Sequence, residues 1–361
     1  MPSVAVLDVL PSTPAGGSRR APRICSPLIA PRCDRGATSG LAGPLVECVP
    51  NFSEGRDAGV IAALARAAAA VAGILILDLQ TDPDHNRSVL TFAGPPEAVR
   101  EAAVEAAGAA SRLIDLTRHS GVHPRVGAAD VVPFIPLRGI TLDACVTLAR
   151  SAGELLWQRH SVPVYFYDAA SLRPGRTRLE QIRYHGFQFL RTAALIDDYR
   201  RPDVGGPALH PTAGAAIIGA RKLLVAYNVN LQTADVAVAQ RIARSIRQSS
   251  GGFPGVKALG VFLASRGLAQ VTTTITDFEL SPLHVVFNAI CDAAASESVA
   301  IAGSQLIGLL PRRALEMAGN TDFQWESWDD SMVLETRLQL AASGRLSIAG
   351  LSSNPPGLSS K

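Results

Sequence analysis

Residues 74–79, ILILDL, are apolar at five of six positions, and SVLTFAG (88–94) repeats the same β-rich texture after the polar stretch QTDPDHNR. Apolar runs this short, bounded by turn-forming residues, read as strands, the first of them buried on both faces. Pro95 and Pro96 then open a helix that extends to about Leu116, with Glu97 and Glu101 near its positive end. A strand pair followed by a long covering helix commits this part of the chain to an α/β layer.

The same grammar runs through most of the sequence. LVECVPNFSEG (45–55) reads as a short strand and a polar loop, after which Asp57 caps a helix to about Val71. TLDACVTLARSAGELLWQRH (141–160) is a helix capped by Thr141, and it leads into the strand VPVYFY (162–167). A shorter helix is expected over 177–192, then a Pro- and Gly-rich loop, DDYRRPDVGGPALHPTAG (197–214), long enough to carry function. Strands follow at 215–229 and 256–276, helices at 233–248 and 281–297, and a strand with a short helix over 300–318. VLETRLQLA (333–341) reads as one more strand. The elements cluster in 45–222 and 223–318, which predicts two α/β sandwiches with helix-covered sheets, followed by a partly disordered C-terminal extension, 319–361.

Charge places the N-terminus outside this scheme. The net charge of +3 is accounted for by residues 1–44, where five Arg face Asp8 and Asp34; the remainder is balanced and offers no basic field for nucleic acid. Seven of the 24 prolines also fall in 1–44, so this stretch is expected to be a disordered arm or an over-long start. The five Cys (25, 33, 48, 145, 291) show no C-x-x-C spacing, which fits a reducing cytoplasm, and no apolar run is long enough for a membrane span.

Chemistry concentrates in HSGVHPRVGAADVVPFIP (119–136). His119 and His123 have the spacing of a helical zinc pair, but Gly121 and Pro124 oppose a helix and no Glu follows the first His, so no metal is expected. A neutral imidazole can take and return a proton near pH 7, and His123 is the better placed, beside Pro124 and Arg125. Asp130 is expected either to orient that imidazole or to pair with Arg125. A plain turn before the strand VVPFIP remains open as the alternative. QTDPDHNRS (80–88) likewise reads either as a ligand loop, with Asp82, Asp84, His85, Asn86 and Arg87, or as a solvated hairpin turn. No G-x-G-x-x-G, phosphate loop or G-x-S-x-G elbow is present.

Taken together, LVECVPNFSEGRD, DHNRSVLTFAGPPEAV, RHSGVHPRVGAADVVPFIPLRGIT, GVKALGVFLASRGLAQVTTTITDF and GSQLIGLLP resemble glutamate formimidoyltransferase, the transferase part of formiminotransferase-cyclodeaminase. The resemblance covers about 45–318. It implies two ferredoxin-like α/β subdomains with a substrate groove between them, a homodimer, and transfer of a formimidoyl group between N-formimidoyl-L-glutamate and tetrahydrofolate in histidine degradation. It carries the catalytic His onto His123. It carries the folate-contacting loop onto Gly205, Gly206, Pro207, Ala208, Leu209, His210, Pro211, Thr212, Ala213 and Gly214. Arg125, Arg87 or Arg138 is expected to hold a glutamate carboxylate, with Asn51 of the VPNFSEG string in the binding set.

One departure bears on the chemistry. The family can present an acidic residue at the position of Gln80, suited to orienting the imidazole, which leaves Asp82 or Asp130 as the supporting carboxylate here. Formyl transfer is the alternative that follows from this change; a non-catalytic reduced-folate-binding protein is a separate alternative.

Overall fold

The computed structural model describes residues 43–121, 124–183 and 185–346. Pro50 splits the first strand, because a proline cannot donate to a ladder. β1 (Leu45–Cys48) and β2 (Asn51–Phe52) therefore lie end to end between the same two neighbours. α1 (Ala58–Ala69) is started by Asp57, whose carboxylate accepts from the N–H groups of Gly59 and Val60. β3 (Leu75–Asp82) and β4 (Arg87–Gly94) pair antiparallel, and α2 (Pro96–Leu113) opens on its proline. β5 (Ala129–Arg138) is followed by α3 (Leu142–His160), capped by the Thr141 hydroxyl, then β6 (Val164–Asp168), α4 (Leu179–Ile182), α5 (Gly186–Ile196) and β7 (Ala216–Ala220).

In the first sheet β3, β4, β1/β2 and β5 stand in that order, all antiparallel, the β-α-β-β-α-β arrangement of a ferredoxin-like fold. β7 and then β6 extend it as parallel strands beyond β5. The second sheet repeats the plan with β8 (Val225–Leu231), α6 (Val236–Ile246), β9 (Val256–Leu263), β10 (Leu268–Ile275), α7 (Leu283–Ser296) and β11 (Ile301–Ile307). Its order is β11-β8-β10-β9, antiparallel throughout. α8 (Arg312–Ala318) and α9 (Leu334–Ala342) close the described chain. The fold is α/β with two ferredoxin-like units, as the resemblance implies. Among the described residues no helix is long and apolar enough to cross a membrane.

Four local expectations are corrected. VLETRLQLA is helical: Leu334, Leu338 and Ala341 recur at helical spacing and pack as one stripe on Leu77 and Ala93 of the first sheet. The expected strand 215–229 is two strands, β7 and β8, which belong to different sheets. The helix expected over 177–192 is α4 and α5, separated around Arg183, with His185 at φ +61°. The polar residues Gln80, Thr81 and Asp82 are not loop but the end of β3. Most of the expected N-terminal arm (1–42) and the tail from 347 lie outside the described residues.

Register sorts the first sheet into an apolar and a polar face. Val46, Cys48, Leu79, Leu90, Phe92, Val132 and Phe134 belong to the core under the helices. Their alternates, Glu47, Asn51, Asp78, Gln80, Asp82, Arg87 and Thr91, lie on the other face. Much of that face is nonetheless buried, since Glu47, Asn51, Asp78 and Thr91 are all under 9 % exposed. Burial pushes the Glu47 carboxyl up to about 7, against the pull of Arg221. Asp78 is likewise raised by burial, with Arg337 of α9 as its nearest opposing charge. The second unit reaches this side at Ser265, in the β9–β10 turn, which donates to Asp84 Oδ2 at 2.6 Å, and at Lys257, which pairs with Glu180 at 2.7 Å.

Candidate active site

The segments singled out in the sequence meet at one end of the first sheet, where β5 and β7 begin and β3 turns into β4. Asn86 joins three of them. Its backbone takes φ +49°, a conformation asparagine tolerates. Its Oδ1 accepts from Gly55 N at 2.9 Å, its Nδ2 donates to Ser120 O at 3.0 Å, and its carbonyl lies 3.0 Å from His119 Nε2. The NFSEG loop, the β3–β4 turn and the RHSG loop are thus tied through one side chain.

His119 is fixed by this network as a neutral imidazole. A carbonyl partner requires the proton on Nε2, and burial, countered in part by that bond to Asn86, lowers its pKa. Its Nδ1 is buried with no hydrogen-bond partner among the described residues. The residue steadies the turn, as a hydrogen-bond donor and not as a cation. His123 itself, the expected proton carrier, lies outside the described residues.

Around the following segment three guanidinium groups converge on one carboxylate. Asp130 Oδ1 accepts from the N–H of Val126 at 2.7 Å and of Gly127 at 3.3 Å, and Oδ2 accepts from Arg183 Nη2. Arg125 donates to the His119 carbonyl at 2.6 Å, and its own carbonyl accepts from Phe187 N at 2.9 Å. Arg87 donates to Asn51 Oδ1, while Asn51 Nδ2 is held by Val49 O at 2.8 Å. Burial first, then the neighbouring Arg183 charge, brings Arg87 down to about 10, with Asp130 and Asp82 acting against both. Burial also lowers Arg125, against the pull of Asp130. The cluster is cationic, partly desolvated and suited to carboxylates.

Three expectations change in this light. Asp130, expected either to orient the His123 imidazole or to pair with Arg125, is engaged by Arg183 and the Val126–Gly127 backbone, so the arginine it pairs with is Arg183 and not Arg125. Arg183, 53 residues further along and carrying no motif, was not singled out from the sequence. Arg138 lies at the opposite end of β5, exposed and within 3.4 Å of Gly43 O, so the fold does not bring it to the other arginines. Asp82, a candidate to support His123, directs its carboxylate to His85, with Oδ2 to Nδ1 at 2.6 Å and Oδ1 to the main-chain N at 2.9 Å. Burial alone would raise Asp82, and these bonds outweigh it, so its pKa is lowered. Gln80 lies beside the Asp78 carboxyl and helps to lower its pKa against burial.

The Gly205–Gly214 loop is pinned beside this cluster. Ala128 N donates to Ala213 O at 2.8 Å, Leu116 N to Thr212 O at 2.8 Å, and Ala215 N to Val126 O at 3.2 Å. His210 closes the turn on itself: its N and O pair with Gly214, and its Nδ1 accepts from Ala213 N at 3.0 Å. An accepting Nδ1 is unprotonated, in keeping with a pKa lowered by burial. Leu209, Ala213 and Gly214 are buried anchors, while Gly206, Pro207, Ala208 and Pro211 are exposed. The Gly206–Pro207 bond is cis. Gly205 (φ +73°) lies against the Trp157 indole, so closely that a Cβ there would sit 2.6 Å from Cε3.

Residues 45–221 match the N-terminal subdomain of the formiminotransferase domain, and residues 226–353 match the model described as formiminotransferase domain. The chain is 39 % identical over 295 residues to a glutamate formimidoyltransferase of Streptococcus pyogenes, covering 81 % of this chain and 98 % of that protein. It is 39 % identical over 299 residues to one of Thermoplasma acidophilum, covering 82 % and 98 %. A formimidoyltransferase-cyclodeaminase of Sus scrofa is 45 % identical over 277 residues, 75 % of this chain but only 51 % of that longer protein. The chain belongs to the formiminotransferase family.

Proposed function

We propose that the protein transfers a formimidoyl group between N-formimidoyl-L-glutamate and tetrahydrofolate, as a step of histidine degradation, in the cytoplasm and as a homodimer. The observation that carries this reading is the half-buried cationic cluster of Arg87, Arg125 and Arg183, beside a glycine-rich loop whose tip, Gly206 to Ala208, is exposed. Its support is the names of two relatives that this chain covers almost end to end. Glutamate offers carboxylates to the cluster. The exposed backbone of Gly206, Pro207 and Ala208 offers carbonyl and amide groups to a reduced folate, with the groove between the two units as its path.

In transfer to the folate, N5 of tetrahydrofolate attacks the amidine carbon of N-formimidoyl-glutamate and gives up its proton. The bond from that carbon to the glutamate nitrogen then breaks, and the nitrogen takes a proton as it leaves. One imidazole serves both transfers, and His123 is assigned that role. Arg125 holds the segment on its other side through the His119 carbonyl.

The decisive assay combines purified protein, tetrahydrofolate and N-formimidoyl-glutamate, beside N-formylglutamate as alternative donor. Formimidoyl transfer is the expected result, and His123→Ala should lower kcat by about 10²-fold with folate binding retained. Faster turnover of the formyl donor would establish the formyl reading, for which Gln80 is the motivating residue. Folate binding without transfer from either donor would leave a binding protein.

A further inference from the structure

The geometry points to Arg183 as a specificity-determining residue that takes one carboxylate of the glutamyl substrate. Arg183 stands directly after α4, and among the described residues its guanidinium makes one hydrogen bond, from Nη2 to Asp130 Oδ2. Asp130 is anchored independently by two main-chain N–H groups, so it aims the guanidinium as a fixed peg. The rest of the fork is not used up: Arg183 Nε is buried and has no hydrogen-bond partner among the described residues, and the side chain is only 11 % exposed. Arg125 Nε is in the same condition.

Charge favours the same conclusion. Arg183 lies close enough to Arg87 to help lower it, and Asp130 is the carboxylate that Arg183 holds. Of the other nearby acids, Asp82 is turned to His85 and Glu180 pairs with Lys257. Desolvated like charges with a surplus of unused donors are costly to maintain unless an anion joins them. A planar carboxylate accepting from a guanidinium fork is the group that fits. Asp130 is accordingly a positioning residue that acts through Arg183.

This inference rests on the formimidoyl-transfer reading for the identity of the substrate, and its test keeps the two apart. Arg183→Lys keeps a charge for Asp130 but loses the fork; Arg183→Gln loses both; Arg112→Gln on the exposed end of α2 is the control. Both Arg183 variants should raise KM for N-formimidoyl-L-glutamate, by about 10-fold and about 100-fold respectively, with KM for tetrahydrofolate unchanged. The preference for this donor over N-formimidoyl-L-glutamine or N-formimidoyl-4-aminobutyrate, each lacking one carboxylate, should shrink for the analogue missing the group Arg183 holds. Unchanged donor KM in Arg183→Lys and Arg183→Gln, or an equal rise for both substrates, overturns the assignment. Calorimetric titration with L-glutamate reads it without turnover. If the wild type transfers nothing, the transfer reading fails, and glutamate binding lost in both Arg183 variants still upholds the assignment, whereas binding retained in them overturns it.

Discussion

Arg337 of α9 donates to the main-chain carbonyl of Leu77 in β3 at 3.1 Å, joining residues 260 apart in sequence. The same guanidinium donates to Ser331 O at 2.6 Å and to Ser331 Oγ at 3.0 Å, and lies 3.8 Å from the buried Asp78 carboxylate. Removing it strands a buried acid and a strand carbonyl together. Arg337→Ala should cost about 3 kcal/mol of stability, read as a lower urea midpoint. A change below about 1 kcal/mol would mean that α9 is held by its apolar stripe alone.

Glu47 predicts a pH dependence of definite sign. Folded, it keeps its proton up to about 7, whereas its ordinary value is 4.5. Between these values the folded state binds the extra proton, so stability falls as pH rises, by about 3 kcal/mol in total, and levels off above. Glu47→Gln should remove this slope and be more stable than the wild type at pH 8. Parallel loss of stability in both proteins from pH 5 to pH 8 would exclude Glu47 as its source.

Gly55, in the NFSEG loop, packs against the β3–β4 hairpin. A Cβ there would lie 2.3 Å from Asp82 O and 2.4 Å from Arg87 N, both main-chain atoms that cannot swing aside. Gly55→Ala should therefore cost about 3 kcal/mol and, by displacing Arg87, raise the KM for the glutamyl donor. Thermal melting and donor KM measured together check it; a melt unchanged within error would contradict the packing described.

Trp157 reports on the Gly205–Gly214 loop because its indole touches Gly205, whereas Trp325 and Trp328 stack on each other in the second unit. Reduced folate should change the emission of the wild type and not of Trp157→Phe. Gly205→Ala, forced off the indole at φ +73°, should weaken folate binding about 10-fold or more. Equal quenching in wild type and Trp157→Phe would mean that the ligand sits elsewhere.

Much of the fold was legible because its signals are local. Asp57, Thr141 and Pro96 start their helices through bonds or constraints that reach no further than the next turn. ILILDL and SVLTFAG pair as expected, since adjacent strands need only a short turn. VLETRLQLA failed for a complementary reason. Nine residues with apolar positions at 334, 338 and 340 satisfy either period, and only the sheet face waiting at Leu77 and Ala93 selects the helix. The two strands within 215–229 belong to different sheets, and the boundary expected at 222/223 falls between them.

By itself the sequence determined the alternation of elements, the capped helix starts and the strings that place the chain in its family, all properties of residues near one another along the chain. The tertiary structure alone decided that Arg183 meets Asp130, that Asn86 ties three loops together, and that Arg138 lies away from the site. The reason is physical. A hydrogen bond between residues 53 or 260 apart leaves no periodicity in the sequence, and its partners are set by how packed layers bring strand ends together.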